Sequence, residues 1–354
     1  MNNNPNFFSN KITHWFNANA RNLPWRNTIN PYRIWISEVI LQQTRVAQGL
    51  DYYNRFIQRF PDVISLAEAD ENEVLKYWQG LGYYSRARNL HAAAQQIKTQ
   101  HNGIFPTDYE QVLALRGVGE YTAAAICSFA YNLPYAVLDG NVYRVLSRVF
   151  GIETPINAPK AKKEFSDLAQ MLLDTENPSE HNQAIMEFGA LQCVPVSPNC
   201  SVCPFVEQCV AFSDGMVQKL PVKLKKNSVK ERFFNYFFVQ QGDYTYLKKR
   251  EAKDIWKNLY EFPLIETTEK IDIGDLIGKD VFKTMFGDTK LQIDGQPFVV
   301  KHVLTHRVIH AAFYMVKTTE NVDLTAHFLK IPTSDLHSYP VSRLIELFLE
   351  KYFS

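Results

Sequence analysis

Through the first two-thirds of the chain, apolar residues recur every three or four positions, which is the spacing of helices that bury one face. Short breaks rich in proline, glycine and asparagine separate these runs, and such residues commonly end helices. The pattern therefore predicts an all-α region. Its predicted helices are Tyr32–Gln43, Gly49–Phe60, Glu71–Trp78, Ser85–Thr99, Asp108–Ala114, Glu120–Tyr131, Asn141–Phe150, Lys160–Leu173 and Ser179–Gln192.

Near residue 232 the pattern changes to runs rich in aromatic and β-branched residues with turn residues between them, which is typical of strands. It predicts four strands and a closing helix: Arg232–Gln240, Tyr244–Lys248, Phe298–Thr305, Val308–Val316 and the helix Val341–Tyr352. The predicted fold class is therefore multidomain, with an all-α domain at residues 1–214, a linker at 215–232 and a smaller α+β domain at 233–354.

Composition narrows the class of protein only a little. Of the 354 residues, 46% are hydrophobic and 21% are charged, as in ordinary globular proteins. No apolar run approaches the roughly 20 residues that span a bilayer, and the polar start at Met1–Asn10 does not resemble a secretion signal. The net charge of +1 does not by itself indicate a nucleic-acid partner. The linker is basic, and it could either contact phosphate or be a solvated connection.

Four of the five cysteines lie close together in a C-x6-C-x2-C-x5-C pattern, at Cys193, Cys200, Cys203 and Cys209. Clustered thiolates need a positive centre to offset their charge. Zinc sites usually show two C-x2-C pairs, whereas only one short pair is present here. The uneven spacing favours a cluster of iron and sulfide held by four thiolates. Two disulfides are the remaining alternative, and the absence of a secretion signal disfavours them.

A second motif is the string L-R-G-V-G-E-Y-T-A-A-A-I at residues 115–126. Gly117, Val118 and Gly119 predict a tight turn that leads into the N-terminus of a helix. Unpaired backbone N–H groups at a helix N-terminus form an anion site, and glycine lets a phosphate approach the backbone. The turn therefore resembles a helix-hairpin-helix element that binds a DNA phosphate without reading sequence.

Asp139 directly precedes the next apolar-periodic helix. Its simplest role is to cap that helix, a contribution of about 1 kcal/mol. The same carboxylate could also face the groove beside the phosphate-binding turn, with Asn141 holding either it or the substrate by hydrogen bonds.

The hairpin, the aspartate and the four cysteines, in this order, resemble the helix-hairpin-helix DNA glycosylase superfamily with its 4Fe–4S cluster. Further strings are similar to those of the MutY-type adenine DNA glycosylases within it: L-P-W-R at 23–26, W-I-S-E-V-I-L-Q-Q-T at 35–44, W-Q-G-L-G-Y-Y-S-R-A-R-N-L at 78–90 and E-F-G-A at 187–190. The resemblance is dense over residues 8–214. It is looser over 233–354, which resembles a MutT-like domain that lacks the sequence box of the nucleotide hydrolases.

The resemblance implies removal of adenine from A:8-oxoguanine or A:G pairs in double-stranded DNA by cleavage of the N-glycosidic bond. Glu38, on an apolar helix, would be the general acid if burial keeps its carboxyl protonated. Ionised Asp139 would stabilise or attack the positively charged sugar. The related endonuclease III-type enzymes have a lysine at position 121, and Tyr121 has no such amine. We therefore expect a monofunctional glycosylase, with a bifunctional lyase and a non-catalytic damage-binding protein as alternatives. The Tyr121 hydroxyl is expected near Glu38 or Asp139.

The resemblance also implies residues that contact DNA around the flipped base. Gln43 and Leu81 match inserting positions, Tyr83 would stack beside 8-oxoguanine, and Arg26 and Arg86 would hold the adenine or its phosphates. In the C-terminal domain, Thr305 and His306 match the loop that meets 8-oxoguanine, although Leu304 replaces an aromatic residue there. We expect a monomer of bacterial type that is cytoplasmic and associated with the nucleoid, without a membrane partner.

Overall fold

The computed structural model describes residues 5–224, 230–252, 254–287, 291–304, 306–318 and 324–353. The chain divides into two compact units. The first contains residues 1–68 and 92–226, and the second contains residues 69–91 and 227–354. A stretch from within the predicted helical domain thus belongs to the same unit as the C-terminal residues. The predicted domain boundaries remain a prediction.

The helices up to residue 214 are α1 (Pro5–Asn19), α2 (Pro31–Leu41), α3 (Val46–Arg59), α4 (Val63–Glu68), α5 (Glu71–Tyr77), α6 (Ser85–Gln100), α7 (Tyr109–Leu113), α8 (Glu120–Tyr131), α9 (Gly140–Phe150), α10 (Ala161–Leu172), α11 (Pro178–Leu191) and α12 (Val210–Ser213). Helix α5 lies in the second unit, and α6 runs from the second unit into the first. In the described residues, no helix combines the length and the apolar character needed to cross a bilayer.

Helices α2, α8, α9 and α11 form the part of the first unit that carries the site. Helix α2 begins at Pro31 after the cap Asn30, whose side chain accepts from the Arg33 amide, and proline suits a first helical position. Every residue of α2 from Ile34 to Ile40 is buried, so Glu38 projects from a helix enclosed by the protein. The apolar side of α9 packs into a core that includes Phe165 and Phe188.

The later elements are β1 (Lys230–Gln240), β2 (Tyr244–Lys249), β3 (Tyr260–Glu261), β4 (Leu264–Thr267), α13 (Ile273–Ile277), α14 (Asp280–Phe286), β5 (Gln292–Val303), β6 (Arg307–Lys317), β7 (Leu329–Pro332) and α15 (Arg343–Tyr352). One sheet has the order β4-β1-β6-β5 and the other the order β3-β2-β7. Strands β1 and β6 are parallel, whereas β5 and β6 form an antiparallel pair.

The two faces of β1 enter different cores because side chains alternate along a strand. Phe234, Tyr236 and Phe238 pack with α15, and Phe237 and Val239 pack with α13 and α14. Both faces of β1 are thus covered by helices, which explains the almost continuous apolar sequence of this strand.

All nine helices predicted in the first two-thirds of the chain are present, with small shifts at their ends. The four predicted strands are present too, although β5 begins six residues earlier than predicted, at Gln292, and continues through a bulge after Asp294. The sequence patterns did not predict α1, α4, α12, α13, α14, β3, β4 and β7.

Candidate active site

A cavity of about 550 Å³ in the first unit brings together residues from α2, α8, α9 and α11. Its walls include Glu38, Tyr121, Asp139 and Asn141, the four residues that the sequence predicted for catalysis. Its volume falls within the range of about 300–1,000 Å³ that is typical of small-molecule pockets. Gly140, which has no side chain, lies between Asp139 and Asn141 on the wall.

Glu38 is buried and directly joined to Tyr121. The Tyr121 hydroxyl donates a hydrogen bond of 2.5 Å to Oε2 of Glu38, as the sequence led us to expect. Burial raises the pKa of Glu38 to about 7, and the nearby charge of Asp139 also raises it, whereas the Tyr121 bond and Arg26 oppose the rise. Burial likewise raises the pKa of Tyr121 well above its ordinary value, so its hydroxyl is neutral. At neutral pH, Glu38 can therefore hold a proton facing the cavity.

Asp139 caps α9 and is held at both carboxyl oxygens. Its Oδ1 accepts from the backbone amides of Asn141 and Val142 at 2.8 Å each, and its Oδ2 accepts from Nδ2 of Asn141 at 2.7 Å. Burial is the largest effect and leaves the pKa of Asp139 above its ordinary value, while these three hydrogen bonds and the charge of Arg144 oppose the rise. The donors all favour the carboxylate form, and they fix its orientation toward the cavity.

Arg144 connects this carboxylate to the cysteine-containing loop. Its guanidinium donates to Oδ1 of Asn141 at 2.8 Å, to the Gly189 carbonyl at 2.6 Å and to the Cys193 carbonyl at 2.7 Å. One α9 side chain thus holds both the residue that orients Asp139 and the backbone of the first clustered cysteine. Sequence reasoning did not single out Arg144.

Glu187 and two arginines form another wall of the cavity. Glu187 is buried and accepts from the backbone amide and guanidinium of Arg21 and from both terminal nitrogens of Arg26, at 2.8 and 2.7 Å. Burial alone would raise the pKa of Glu187, but these bonds hold it at about 2. The sequence predicted that Arg26 contacts DNA, whereas in this structure its guanidinium forms an ion pair with Glu187.

The predicted phosphate-binding turn lies between α7 and α8. Gly117 has a φ of 77°, in the left-handed region that favours glycine. Gly119 caps α8 with an ordinary extended φ, and a Cβ there would meet nothing within 4 Å. Since the chain itself does not require a glycine at position 119, close approach of a ligand is a physical reason for one. The Val118 side chain between the two glycines is buried.

Cys193, Cys200, Cys203 and Cys209 line one small cavity with apolar walls that include Phe205. The pKa of the Cys203 thiol is raised to about 11, mainly by burial and in smaller part by its three cysteine neighbours. Four thiolates here would need a positive centre, which is the chemistry of a metal–sulfur site. Among the residues that the structure describes, no group of three or more His, Cys, Asp or Glu side chains is arranged to hold a single metal ion.

Arg148 of α9 reaches the same cavity. Its guanidinium donates to Sγ of Cys193 at 3.4 Å, and the Cys209 thiol donates to its carbonyl at 3.3 Å. A fixed positive charge beside one thiol would also stabilise a thiolate there. The donor set and its surroundings therefore fit a group held by four thiolates.

The remaining residues predicted to contact DNA differ in their exposure. Gln43 is exposed in the first unit, two residues after the end of α2, and has a φ of 59°. In the second unit, Leu81 is buried, with 8% of its surface exposed, whereas Tyr83 is 50% exposed. The Arg86 guanidinium lies over the ring of Tyr83. Insertion of Leu81 between bases would thus require its side chain to leave its present position.

The loop between β5 and β6 carries the two residues predicted to meet the opposite base. His306 is exposed, and its carbonyl accepts from the Lys230 amide at 3.2 Å. Thr305 lies outside the described residues, so its predicted role stays a prediction.

The fold and cavity define a helix-hairpin-helix base-excision protein with a second domain attached. Residues 36–171 match the family described as HhH-GPD superfamily base excision DNA repair protein, and residues 235–351 match the NUDIX domain. Both matches confirm the predicted fold class. A thermostable thymine-DNA glycosylase has a similar structure, with a TM-score of 0.55 and 28% identity over 59% of this chain and 97% of that one.

Relatives with a more narrowly defined activity align with most of the chain. An adenine DNA glycosylase of Buchnera aphidicola subsp. Baizongia pistaciae is 37% identical over 86% of this chain and 84% of its own length. Another, from the Acyrthosiphon pisum subspecies, is 35% identical over 74% of this chain and 75% of its own. The chain belongs to the adenine DNA glycosylase family.

Proposed function

We propose that the protein removes adenine from double-stranded DNA in which the adenine is paired with 8-oxoguanine or guanine, by hydrolysis of the N-glycosidic bond. The observation that carries this proposal is the pairing, in one cavity, of a carboxyl group with a pKa of about 7 and a carboxyl group held by three hydrogen-bond donors. Most enzymes that hydrolyse glycosidic bonds use two carboxyl groups whose environments give them different roles.

Glu38 is the general acid. Adenine is a poor leaving group until a ring nitrogen is protonated, and a protonated carboxyl in a buried cavity can donate that proton. Because the Tyr121 hydroxyl donates to Oε2, the acidic proton belongs on Oε1. The transfer leaves Glu38 as a carboxylate, and a water molecule that attacks the sugar can return the proton to it.

Asp139 acts on the sugar. Departure of adenine leaves a positively charged, oxocarbenium-like ring, and an adjacent carboxylate stabilises that charge or attacks it. The bonds from Asn141 and Val142 hold Asp139 in place before the substrate arrives. Water then replaces the base, so the product is an abasic site in an intact strand.

Strand cleavage is not part of the proposed reaction. A lyase needs a nucleophilic amine on the sugar, and the residue of α8 that lies beside Glu38 is Tyr121, whose neutral phenol cannot form a Schiff base. The neutral phenol therefore favours a monofunctional glycosylase over the bifunctional endonuclease III-like glycosylase and lyase.

The proposed partner is the mispaired duplex. The exposed ring of Tyr83 would stack beside the base opposite adenine, and the loop containing Thr305 and His306 would contact 8-oxoguanine from the C-terminal domain. We propose that the protein acts as a monomer, in the cytoplasm and associated with the nucleoid.

A 4Fe–4S cluster is the group we propose for the four cysteines. Bound there, it would supply a positive centre for four thiolates and a rigid core for the loop. Cys193, Cys200, Cys203 and Cys209 would hold it, with Arg148 beside Cys193.

The test uses a labelled duplex with one adenine opposite 8-oxoguanine, divided after incubation between alkaline and neutral work-up. Asp139→Asn is the informative variant, because asparagine caps a helix about as well as aspartate does. Asp108→Asn is the matched control, since Asp108 caps α7 in the same way by accepting from the Gln111 amide. We expect cleavage only after alkali, with loss of activity in Asp139→Asn and not in Asp108→Asn.

Other outcomes would point to the alternatives. Cleavage without alkali would identify a lyase. Tight retention of the duplex with no product under either work-up would identify a damage-binding protein. Equal activity of Asp139→Asn and wild type would remove Asp139 from the reaction.

A further inference from the structure

The turn between α5 and α6, residues 78–84, presents one large exposed ring on a constrained backbone. Tyr83 is 50% exposed, and its φ of 46° lies in the left-handed region together with those of Gly80 and Gly82. A tyrosine in this region costs free energy that surrounding contacts must offset. Within the turn, Nε1 of Trp78 donates to the Gly82 carbonyl at 3.1 Å.

Two side chains of the turn reach residues 339–346 of the C-terminal domain, inside the same compact unit. Nε2 of Gln79 donates to Oε1 of Glu346 at 3.0 Å, and Oε1 of Gln79 accepts from the Val341 amide at 3.3 Å. The Tyr84 hydroxyl donates to the Val341 carbonyl at 3.2 Å. Both polar groups of the Val341 backbone are thus paired with the turn.

The Tyr84 hydroxyl also accepts from the Gly80 amide at 3.4 Å. A single hydroxyl therefore joins the backbone of the turn to Val341, and both Tyr84 and Val341 are buried. Lys76 adds another connection, donating to the Tyr339 carbonyl at 3.3 Å. The bond from Tyr84 to Val341 is buried and the others are half-buried. Such bonds favour a single arrangement, since breaking one in a buried place leaves a polar group unpaired.

We propose that Gln79 and Tyr84 are positioning residues through which segment 339–346 holds the turn, and with it Tyr83, ready for the base opposite the target adenine. The role of Tyr83 in this statement rests on the proposed function. The C-terminal domain then contributes twice to recognition, through its own β5–β6 loop and by pre-organising a turn of the helical region. Pre-organisation lowers the cost of ordering on binding, so its loss raises KM more than it lowers kcat.

A swap of side chains tests this directly. Gln79→Glu replaces the amide that donates to Glu346 by a carboxylate, so the hydrogen bond between the two side chains is lost. Adding Glu346→Gln restores one amide facing one carboxylate in reversed order. We expect Gln79→Glu to accelerate amide hydrogen exchange over residues 78–84 by about tenfold, because exchange reports local opening. We expect KM for the A:8-oxoguanine duplex to rise by about tenfold with kcat nearly unchanged. The double variant should restore both values.

Tyr84→Phe is the second variant, because it removes only the bridging hydroxyl, and it should reproduce the faster exchange. Glu350→Gln is the matched control: Glu350 also lies on α15 and shares Arg343 with Glu346. This change removes a carboxylate of the same helix while Gln79 and Glu346 stay in place, and it should alter neither quantity. Unchanged exchange in both Gln79→Glu and Tyr84→Phe would overturn the proposal, as would a double variant that keeps the full defect. If the wild type fails to remove adenine while exchange still follows the swap, the positioning holds and the proposed function fails.

Discussion

Glu38 and Asp139 line the same cavity, yet their hydrogen-bond partners differ in kind. Glu38 accepts one hydrogen bond from a phenol and lies on an enclosed helix. Desolvation is therefore the largest effect on its pKa, which rises to about 7. Asp139 accepts hydrogen bonds from two backbone amides and one side-chain amide, and these bonds favour its anion. These donors oppose burial, which is the larger effect and leaves the pKa of Asp139 above its ordinary value. The two carboxyl groups therefore differ in the protonation form that their hydrogen-bond partners favour.

Glu38→Gln removes the acid while keeping its size, and we expect a rate lower by about 10²–10⁴-fold, the usual contribution of a general acid. In the wild type, the rate should fall as pH rises through about 7, where Glu38 loses its proton. Single-turnover rates across pH would check this, and a rate that stays flat through pH 7 to 8 would contradict it. The stability of the fold should change with pH in the same direction as the rate. The contribution of Glu38 to stability is fully present below its ordinary pKa of 4.5, and it is lost as pH rises through about 7.

Tyr121→Phe should move that alkaline limb to higher pH, because the Tyr121 hydrogen bond lowers the pKa of Glu38. Tyr131→Phe is the control on the same helix, since its hydroxyl contacts the Phe105 carbonyl instead. The same single-turnover pH profile measures the shift. A limb displaced to lower pH would mean that the phenol stabilises the protonated carboxyl.

At this scale the sequence predicted Glu38, Asp139, Tyr121 and Asn141 through local strings, and the structure brings all four to one cavity. It could not predict the ion pairs of Glu187, because its arginine partners lie in a distant part of the chain and only the folded chain brings them close. The string around Glu187 was visible, but its charge partners were not.

At the scale of elements, the long amphipathic helices were predictable because each carries its own period. The missed elements are mostly short. Strands β3, β4 and β7 span two to four residues and are defined by pairing with distant strands. Helix α1 did carry a signal, since Phe8 and Ile12 are buried one turn apart, but it lies in an asparagine-rich stretch that indicated a polar start.

The crossing of α9 and α11 depends on Gly189. A Cβ there would lie 2.6 Å from Cβ of Asn141 and 3.0 Å from its carbonyl oxygen. Gly189→Ala should therefore push the two helices apart, cost about 1–3 kcal/mol, and displace Asn141 from Asp139. The melting temperature and the glycosylase activity should both fall.

Gly274→Ala is the matched control for that change, because Gly274 lies in helix α13 and a Cβ there meets nothing within 4 Å. Alanine is also the better helix former, so this variant should be at least as stable as wild type. Full activity of Gly189→Ala at wild-type stability would show that the helices tolerate a wider separation.

At the scale of the whole molecule, the sequence predicted two folds in series, and both family matches agree. The grouping of residues 69–91 with the C-terminal residues was not predictable. Helices α5 and α6 have ordinary helical periods, and a period does not report which distant backbone a polar side chain will bind. The contacts of Gln79 and Tyr84 with Val341 are of this kind.

A group bound at the cysteine loop would affect the active site as well, because Arg144 and Arg148 of α9 both contact this loop. Cys200→Ser should lower the iron content and visible absorbance of purified protein. It should also lower the melting temperature, since ligand binding free energy at such a site becomes folding free energy.

Cys127→Ala is the control for that loss: Cys127 is buried in α8 and does not line the four-cysteine cavity. Iron, absorbance and activity should survive this change, although the lost packing will cost some stability. Glycosylase activity of Cys200→Ser should fall together with iron, because a loosened Cys193 carbonyl releases Arg144 and, through Asn141, the orientation of Asp139. Undiminished activity in iron-free protein would instead show that α9 holds Asp139 without help from the loop.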